Sequence, residues 1–321
     1  MLKILFLVQK EQRIILDRLY ESIATHSTCD LRWLNKADQS NLRRYFRDQV
    51  DVSGYDRILF FLRFKQEMRQ IGFIRTIPNL VILEHDAYQN YIPGKYQGAF
   101  SRHYRKLPGV RVLSSSAAVT RRLVEEGVDA VFVSKGYDQT LLANRGVVRD
   151  IELGFVGSTK SGAYSGRKAL LENLARLEPL LITRTNSGEE YVATLNRIRY
   201  FVSADVGMGE YMIKNFEAMA CGCVLFAYDQ GSEENQALGF VDMQNIVLYR
   251  DVEELMRKLT VLRADPGHSD RIAASGQLLA ERYFSFAQVG ARIVEALEPP
   301  LRAAEPRGWF SRLRLRLGQL A

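Results

Sequence analysis

Residues 211–230 read YMIKNFEAMACGCVLFAYDQ, and this stretch indicates the fold more directly than any other part of the chain. Its first half has the apolar spacing of a short amphipathic helix, over Ile213–Ala220. Gly222 then favours a helix end, because glycine adopts the left-handed conformation after a helix without steric cost. The apolar run Val224–Tyr228 predicts a strand buried on both faces, which is typical of a parallel sheet covered by helices.

One acidic residue, Glu217, falls inside the apolar run of this helix, next to Lys214 and Asn215. Burying a carboxylate is costly, so it requires either an internal partner or the hydroxyl groups of a ligand. A helix that feeds a central parallel strand places polar groups near the carboxyl edge of the sheet, where α/β proteins bind ligands. The sequence leaves open whether Glu217 binds a ligand or belongs to a structural network.

Length and composition indicate a two-domain globular protein. At 321 residues and 36.7 kDa, the chain exceeds the usual size of a single hydrophobic core. Its 47% hydrophobic and 25% charged residues are ordinary for a soluble fold. The net charge of +7 favours an anionic partner, which could be a nucleotide, a nucleic acid or a phospholipid surface.

The cysteines and the first residues indicate the compartment. Cys29, Cys221 and Cys223 have neither metal-site spacing nor the spacing of a disulfide framework. Residues 1–9 form a short apolar run that charged residues follow closely, which predicts a first β-strand and not a signal peptide. The sequence contains no run long enough to cross a membrane as a helix, so a cytoplasmic location is expected.

Strand-like apolar runs alternate with helical patterns along most of the chain, which predicts parallel sheets built from βαβ units. The first series of predicted strands is Ile4–Val8, Leu31–Leu34, Arg57–Leu62, Leu80–Leu83, Val110–Ser114 and Ala130–Val133. The second series is Glu152–Val156, Leu180–Thr183, Tyr200–Ala204, Val224–Tyr228 and Ile246–Leu248. We therefore predict an α/β fold with two Rossmann-like, doubly wound domains, at 1–145 and 151–297, followed by a basic tail at 298–321.

Helical patterns lie between these strands. The predicted helices are Gln12–Thr25, Ser116–Glu126, Gly166–Leu177, Glu189–Arg199, Ile213–Ala220, Val252–Ala264, Ser269–Arg282 and Phe286–Leu297. Ser116 is predicted to cap the amino end of its helix, and Gly127 to follow the carboxyl end.

The tail differs in composition from the rest of the chain. Residues 307–320 read RGWFSRLRLRLGQL, and a helix there would carry Trp309, Phe310, Leu313, Leu317 and Leu320 along one side. Its arginines would lie mostly on the other side, a pattern that suits the headgroup region of an anionic bilayer. The alternatives are a helix docked on the protein itself and a disordered tail.

A basic, glycine-containing segment follows the first strand of the second series. Its notable residues are Gly157, Ser158, Thr159, Lys160 and Arg167. Glycine lets the backbone approach a ligand, the hydroxyls donate hydrogen bonds, and cations near a helix start attract anions. This segment is a candidate cradle for a diphosphate, although it is neither a Walker loop nor a dinucleotide fingerprint. A flexible basic surface loop would have a similar composition.

The glycine-containing segment and the helix that carries Glu217 could face the same crevice of the second domain. The glycine segment contributes positive charge for phosphates, while Glu217 could accept hydrogen bonds from two vicinal ribose hydroxyls. Hydrogen bonds to a charged group contribute about 1.5–3 kcal/mol each. A basic and an acidic feature together favour a nucleotide over a bare phosphate or a nucleic acid.

A family resemblance is carried by blocks in this second half. These blocks are GFVGS at 154–158 with Arg167, NRIRYFVSADVG at 196–207, KNFEAMACGCVLF at 214–226, NIVLYRDVEELMRKL at 245–259 and RIAASGQLLAERYFSF at 271–286. Residues 154–295 resemble the carboxyl-terminal half of GT-B glycosyltransferases of the group 1 superfamily, and most of all the branch similar to spore-maturation CgeB proteins. In the first half, LEHDAY at 83–88 resembles the donor-facing histidine loop of such enzymes.

The resemblance implies that the two domains face each other across a cleft, with the acceptor domain at 1–145 and the donor domain at 151–297. It also implies roles for individual residues. Glu217 would bind the ribose hydroxyls of a nucleotide-sugar, while Arg167 and Lys214 would neutralise the diphosphate, which is also the leaving group. The donor-binding residues implied are Gly157, Ser158, Thr159, Lys160, Arg167, Glu210, Lys214, Asn215 and Glu217.

The sequence departs from the family pattern at one position. Many relatives carry two glutamates eight positions apart, but here Gly209 stands eight residues before Glu217 and the nearest acid is Glu210. This departure puts the identity of the sugar in doubt. No Asp-x-Asp pair occurs in the chain, so we expect neither a metal nor another cofactor.

His85 and Asp86 follow the predicted strand Leu80–Leu83, at the edge where the two domains would face each other. Histidine exchanges protons near neutral pH, so both residues are catalytic candidates. If the reaction inverts configuration, Asp86 or His85 could be the base; if it retains configuration, His85 would contact the donor sugar. His85 could also simply satisfy a loop carbonyl. The basic clusters at 43–47 and 101–106 could meet a phosphorylated or lipid-linked acceptor, or could remain solvated helix faces.

We therefore expect a nucleotide-sugar-dependent glycosyltransferase with a glycan or lipid-linked acceptor. It would act in the synthesis of a bacterial cell-surface polysaccharide or lipopolysaccharide, either free in the cytoplasm or peripheral on the inner face of the membrane. An epimerase or hydrolase on the same scaffold remains open. A catalytically inactive protein that binds nucleotides or phospho-glycans is the alternative from a different class. Nucleic-acid binding is disfavoured, because no basic platform interleaved with aromatic residues is visible.

Overall fold

A computed structural model describes residues 1–10, 16–159 and 165–302 of the chain, and it contains two parallel sheets. The strands of the first sheet are β1 Lys3–Gln9, β2 Thr28–Leu34, β3 Arg57–Phe61, β4 Leu80–Glu84, β5 Arg111–Ser114 and β6 Asp129–Phe132. The strands of the second sheet are β7 Ile151–Val156, β8 Leu181–Thr183, β9 Ile198–Ser203, β10 Val224–Tyr228 and β11 Val247–Tyr249. Their spatial orders are β2-β1-β3-β4-β5-β6 and β11-β10-β9-β7-β8.

Helices connect these strands, as parallel pairing requires. In the first half they are α1 Asp17–Thr25, α2 Lys36–Ser40, α3 Leu42–Gln49, α4 Phe64–Arg69, α5 Ile71–Ile74, α6 Ala99–Tyr104 and α7 Ala117–Glu125. In the second half they are α8 Ser165–Ala175, α9 Glu189–Arg197, α10 Ile213–Ala220, α11 Ser232–Leu238, α12 Val252–Ala264, α13 Pro266–Tyr283 and α14 Phe286–Leu297.

Each sheet is buried on both faces. Along β1, Ile4 and Phe6 belong to one apolar cluster, whereas Leu5 and Leu7 belong to another on the opposite face. Along β10, alternate residues likewise divide between two clusters, which confirms the prediction that this strand is covered on both sides. Parallel strands covered by helices have this continuous apolar sequence because neither face meets water.

The prediction of an α/β fold with two doubly wound halves is confirmed. Each of the eleven predicted strands is present, with ends displaced by at most three residues. Ser116 caps α7 by accepting a hydrogen bond from the Val119 amide, and Gly127 and Gly222 have the predicted positive φ values of 86° and 73°. The start of the first predicted helix, at residues 12–15, lies outside the described residues.

The sequence prediction omitted several short helices. It contained none of α2 to α6, and it also omitted α11. These helices have four to eight residues, which is too short for a periodic apolar pattern to stand out from loop composition.

The last described helix, α14, returns to the first sheet. Phe286 and Ile293 are buried in the same apolar cluster as Ile4 and Phe6 of β1. A Cβ at Gly290 would lie 2.3 Å from Ser22 Oγ of α1, so only glycine allows the two helices to approach this closely. The predicted limits 1–145, 151–297 and 298–321 stay a prediction.

The two halves also contact each other through α7 and α11. Arg121 of α7 forms an ion pair with Glu233 of α11 at 2.9 Å. Glu234 accepts hydrogen bonds from the Ala118 amide at 2.9 Å and from the Ser116 hydroxyl, so it helps to cap α7. Among the described residues, no helix is both long and apolar enough to cross a bilayer.

Candidate functional site

The carboxyl edge of the second sheet contains a cavity of about 230 Å³. The residues after β7 line one side of it, and the polar turn at 184–187 after β8 lines another. Tyr191 of α9 and Lys214 of α10 complete the lining. Since ligands of open α/β sheets bind at this edge, the cavity is the candidate site for the nucleotide.

Glu217 lies behind this cavity and is 1% exposed. Its Oε2 atom accepts a hydrogen bond from the Tyr191 hydroxyl at 2.5 Å, whereas Oε1 is buried without a hydrogen-bond partner. Burial raises the pKa of Glu217, and the positive charge of Lys214 and the Tyr191 hydrogen bond oppose that rise. The Lys214 ammonium lies 4.5 Å from the centre of the Tyr191 ring and 3.3 Å from its hydroxyl. One tyrosine therefore joins the carboxylate to the cation.

Gly157 brings the glycine segment against the Lys214 side chain. A Cβ at Gly157 would lie 2.7 Å from Phe155 Cζ and 3.2 Å from Lys214 Cε. Any larger residue would displace the lysine, so this glycine provides a close approach. Ser158 and Thr159 follow at half-buried positions, and Ser158 lines the cavity. The structure thus brings together the two features that the sequence placed on one crevice, while Lys160 lies outside the described residues.

Arg167 is buried beneath this segment. Its Nη2 forms an ion pair with Asp205 Oδ1 at 2.6 Å, and its Nη1 donates to the Ser158 carbonyl at 3.2 Å. Asp205 Oδ2 in turn accepts from the side chains of Ser203 at 3.0 Å and Asn215 at 2.8 Å. Arg167 and Asn215 therefore share the Asp205 carboxylate, a contact that holds the segment after β7 against the segment after β9.

Glu210 lies apart from the cavity, at the contact between the two halves. Its carboxylate forms an ion pair with Lys135 at 2.5 Å and accepts from the Ser115 hydroxyl at 3.0 Å. Burial raises the pKa of Glu210 to about 7, even though the charge of Lys135 opposes that rise. Gly209 has a φ of 70°, a backbone conformation in which a residue with a side chain would be strained.

His85 and Asp86 follow β4 on the facing edge of the first sheet. The His85 ring packs edge-on against Phe61 at 5.1 Å, and it is partly buried. Burial, together with the nearby charge of Lys135, lowers the pKa of His85 to about 3. Asp86 is exposed, and its amide donates to Glu84 Oε1 at 2.7 Å, which fixes the turn. The imidazole is therefore neutral at physiological pH.

Three residues of the site were not found from the sequence: Tyr191, Asp205 and Lys135. Asp205 and Lys135 each follow a strand closely, so their position at a carboxyl edge was an available signal. Tyr191 carried no signal, because an aromatic residue on an amphipathic helix predicts only a core position.

A comparison with protein families matches residues 156–295 to a family described as "Glycosyl transferase-like". No curated protein sequence matches the chain at a significant level. Several solved structures are similar over nearly the whole fold.

The Anabaena protein HepE, solved with UDP and glucose, has a TM-score of 0.67 and 16% identity, covering 92% of this chain and 99% of its own. Sucrose-phosphate synthase from Thermosynechococcus elongatus has a TM-score of 0.65 and 12% identity, covering 99% of both chains. A glycosyltransferase from Rickettsia africae has a TM-score of 0.65 and 11% identity, covering 92% of this chain and 97% of its own. The fold of this chain is therefore GT-B.

Proposed function

We propose that this protein is a glycosyltransferase that takes a sugar from a nucleotide-sugar and transfers it to an acceptor hydroxyl. One observation carries the proposal: Tyr191 joins a buried carboxylate that has an unpartnered oxygen to a lysine that lines a cavity at the carboxyl edge of the second sheet. The match of residues 156–295 to a glycosyl transferase-like family supports the reaction class. HepE, solved in complexes with UDP and with UDP-glucose, supports a nucleotide-sugar donor.

In this proposal the nucleoside occupies the cavity between the turn at 184–187 and Tyr191. The ribose hydroxyls donate to the Tyr191–Glu217 pair, and a small displacement of the tyrosine hydroxyl brings Glu217 Oε1 within reach. A carboxylate accepting from two vicinal hydroxyls gains charge-assisted hydrogen bonds, which are stronger than neutral ones.

The diphosphate lies along the segment after β7. Gly157 lets the backbone approach it, and Lys214 supplies positive charge where the leaving group develops negative charge. Arg167 contributes through Asp205 by holding this segment in position, since its guanidinium is bonded to that carboxylate. Ser158, Thr159 and Lys160 stay predicted contacts of the phosphates.

The acceptor approaches from the first half. A neutral His85 can hydrogen-bond the donor sugar, while the exposed carboxylate of Asp86 is the available base if configuration is inverted. Glu210 and Lys135 lie at the junction of the two halves. In the proposed reaction they border the sugar subsite.

We also propose the cellular setting expected from the sequence. The acceptor is a glycan or lipid-linked glycan of a bacterial cell surface, and the protein works in the cytoplasm at the inner face of the membrane. No metal ion or other cofactor is needed, because fixed cations serve the leaving group. The relationship to the CgeB-like branch likewise stays a prediction.

A ligand screen followed by turnover tests the proposal. UDP and other nucleoside diphosphates should raise the melting temperature, and the matching nucleotide-sugar should release its nucleoside diphosphate in the presence of an acceptor glycan. If no nucleoside diphosphate binds, the nucleotide site is wrong. Binding of nucleotide-sugars without transfer to any acceptor would instead indicate an inactive binding protein, which the absence of a glutamate at position 209 favours.

A further inference from the structure

The amino edge of the first sheet, opposite the cleft, carries a basic surface that the proposed reaction does not use. Two neighbouring depressions lie there, on either side of the turn at 107–110. The larger has a volume of about 600 Å³ and is lined by Arg57, Arg75 and Arg302 among others. The smaller has a volume of about 210 Å³, and Arg105 and Arg302 line it together.

The charges of this surface are free to act on a partner. Arg75, Arg105, Lys106 and Arg302 are exposed, and within the described ranges none of them forms an ion pair with a carboxylate. The basic cluster at 101–106, for which the sequence left open an acceptor contact or a solvated face, contributes two of these residues.

The acids that border the surface are already engaged. Asp129 pairs with Arg111 at 3.1 Å, and Glu126 accepts a hydrogen bond from the Tyr91 hydroxyl at 3.0 Å. The Tyr91 hydrogen bond leaves the charge of Glu126 in place, but Glu126 and Asp129 are the only acids that line the two depressions among the described residues. Four arginines line them, which are Arg57, Arg75, Arg105 and Arg302, so the surface carries an excess of positive charge.

The chain leaves the described part of the protein at this same surface. Arg57 and Arg111 hold its exit by donating to the carbonyl groups of residues 296–300. Arg302 donates to the Gly127 carbonyl at 3.0 Å, so residue 302 is fixed beside the smaller depression. The 19 residues that follow contain Trp309, Phe310 and four arginines. The next part of the sequence thus contains further aromatic and basic residues.

We propose that this surface, comprising Arg75, Arg105, Lys106 and Arg302, is the part of the folded protein that docks on an anionic phospholipid bilayer. The proposal rests on the membrane contact included in the proposed function, and it specifies which face of the protein makes that contact. Exposed arginines and lysines attract anionic headgroups, each contributing on the order of 1 kcal/mol near the bilayer. The exposed Pro78 and Pro108 and the half-buried Leu301 offer small apolar groups to the headgroup region.

This orientation places the cleft away from the bilayer. The basic surface lies where the strands of the first sheet begin, whereas His85 follows the end of β4. Strands of four or five residues separate the two edges by roughly 13–17 Å, at about 3.3 Å per residue. An acceptor in the cleft must therefore extend from the membrane, as the end of a lipid-linked oligosaccharide does.

Vesicle sedimentation with the full-length protein tests the proposal. The vesicles are phosphatidylcholine alone, or equal parts of phosphatidylcholine and phosphatidylglycerol. Wild-type protein should sediment with the anionic vesicles and should release from them as the salt concentration rises, because salt screens the attraction. The triple variant R75Q/R105Q/K106Q should partition on the order of 100-fold more weakly, at about fivefold for each charge removed.

A matched control removes three exposed positive charges from the second half: K168Q, R176Q and R257Q. This control should bind the anionic vesicles nearly as well as wild type, while both triple variants should keep the melting temperature and UDP affinity of wild type. Equal binding by wild type and the R75Q/R105Q/K106Q variant would overturn the proposal, as would equal losses in the two triple variants. If wild-type protein ignores the anionic vesicles, the docking surface is wrong even if UDP binds, so this failure is separate from a failure of the nucleotide site.

Discussion

Replacing Glu217 by glutamine tests the carboxylate that the proposed site depends on. Glutamine keeps the size of the side chain and can still accept from the Tyr191 hydroxyl, so the packing of α9 against α10 should survive. The change removes the negative charge of the carboxylate, whose Oε1 atom is buried without a hydrogen-bond partner. The variant should therefore lose ligand affinity while the stability of the fold is kept.

The magnitude follows from the hydrogen bonds at stake. A hydrogen bond to a charged group contributes about 1.5–3 kcal/mol, so losing one weakens UDP binding roughly 10- to 150-fold. The wild-type protein should bind UDP more tightly than 2′-deoxy-UDP by a factor in the same range, because the deoxy ligand lacks one hydrogen-bond donor. In the Glu217→Gln variant that preference should largely disappear.

Isothermal titration calorimetry with UDP, 2′-deoxy-UDP and 3′-deoxy-UDP measures these differences. The matched control is Glu172→Gln, which makes the same change at an exposed glutamate of α8. Its affinities should equal those of wild type, and circular dichroism should show equal melting temperatures for all three proteins. If Glu217→Gln weakens UDP and both deoxy ligands by the same factor, Glu217 does not contact the ribose. Unchanged UDP affinity would remove it from the site.

Three further predictions concern buried charges. Arg167→Met should lower the free energy of unfolding by about 3–5 kcal/mol in urea titrations, because it leaves the Asp205 carboxylate buried without its cation. Adding Asp205→Asn should restore part of that loss. A single variant as stable as wild type would contradict the prediction. His85 should show no imidazole titration by NMR between pH 5 and 8, since its pKa is lowered to about 3, and a midpoint near 6.5 would refute the assignment. Glu210 has a folded pKa of about 7, above its unfolded value, so the folded state holds the proton longer and the free energy of unfolding should fall from pH 4.5 to 7. Glu210→Gln should reduce this decrease in the free energy of unfolding, and Lys135→Met should extend the decrease to higher pH. An identical pH profile for wild type and Glu210→Gln would count against a raised pKa.

The position of each strand could be predicted from the sequence because the relevant physics is local. A parallel strand covered on both sides must be apolar along its whole length, and Val224–Tyr228 shows this as plainly in the sequence as in the structure. The positive φ values of Gly127 and Gly222 could be predicted for the same reason, because the backbone conformation after a helix depends on the residues at that place.

The partners of the charged residues could not be predicted in this way. The family resemblance implied that Arg167 and Glu210 contact the donor, which stays a prediction. It did not indicate their protein partners, which are Asp205 for Arg167 and Lys135 for Glu210, 38 and 75 positions away along the chain. Ion pairs between residues far apart in sequence depend on which loops lie together at a sheet edge. The properties of the single residues do not specify this arrangement.

The sequence by itself determined the two doubly wound halves, the helix ends and the presence of one carboxylate inside an apolar helix. Each of these follows from backbone preference or from the cost of exposing apolar surface, which nearby residues specify. Only the tertiary structure decided that Tyr191 joins Glu217 to Lys214, that α14 returns to the first sheet, and that the basic surface lies at the edge opposite the cleft. Those outcomes depend on packing between segments far apart in sequence, where the order of strands and the shape of neighbouring side chains select the contacts.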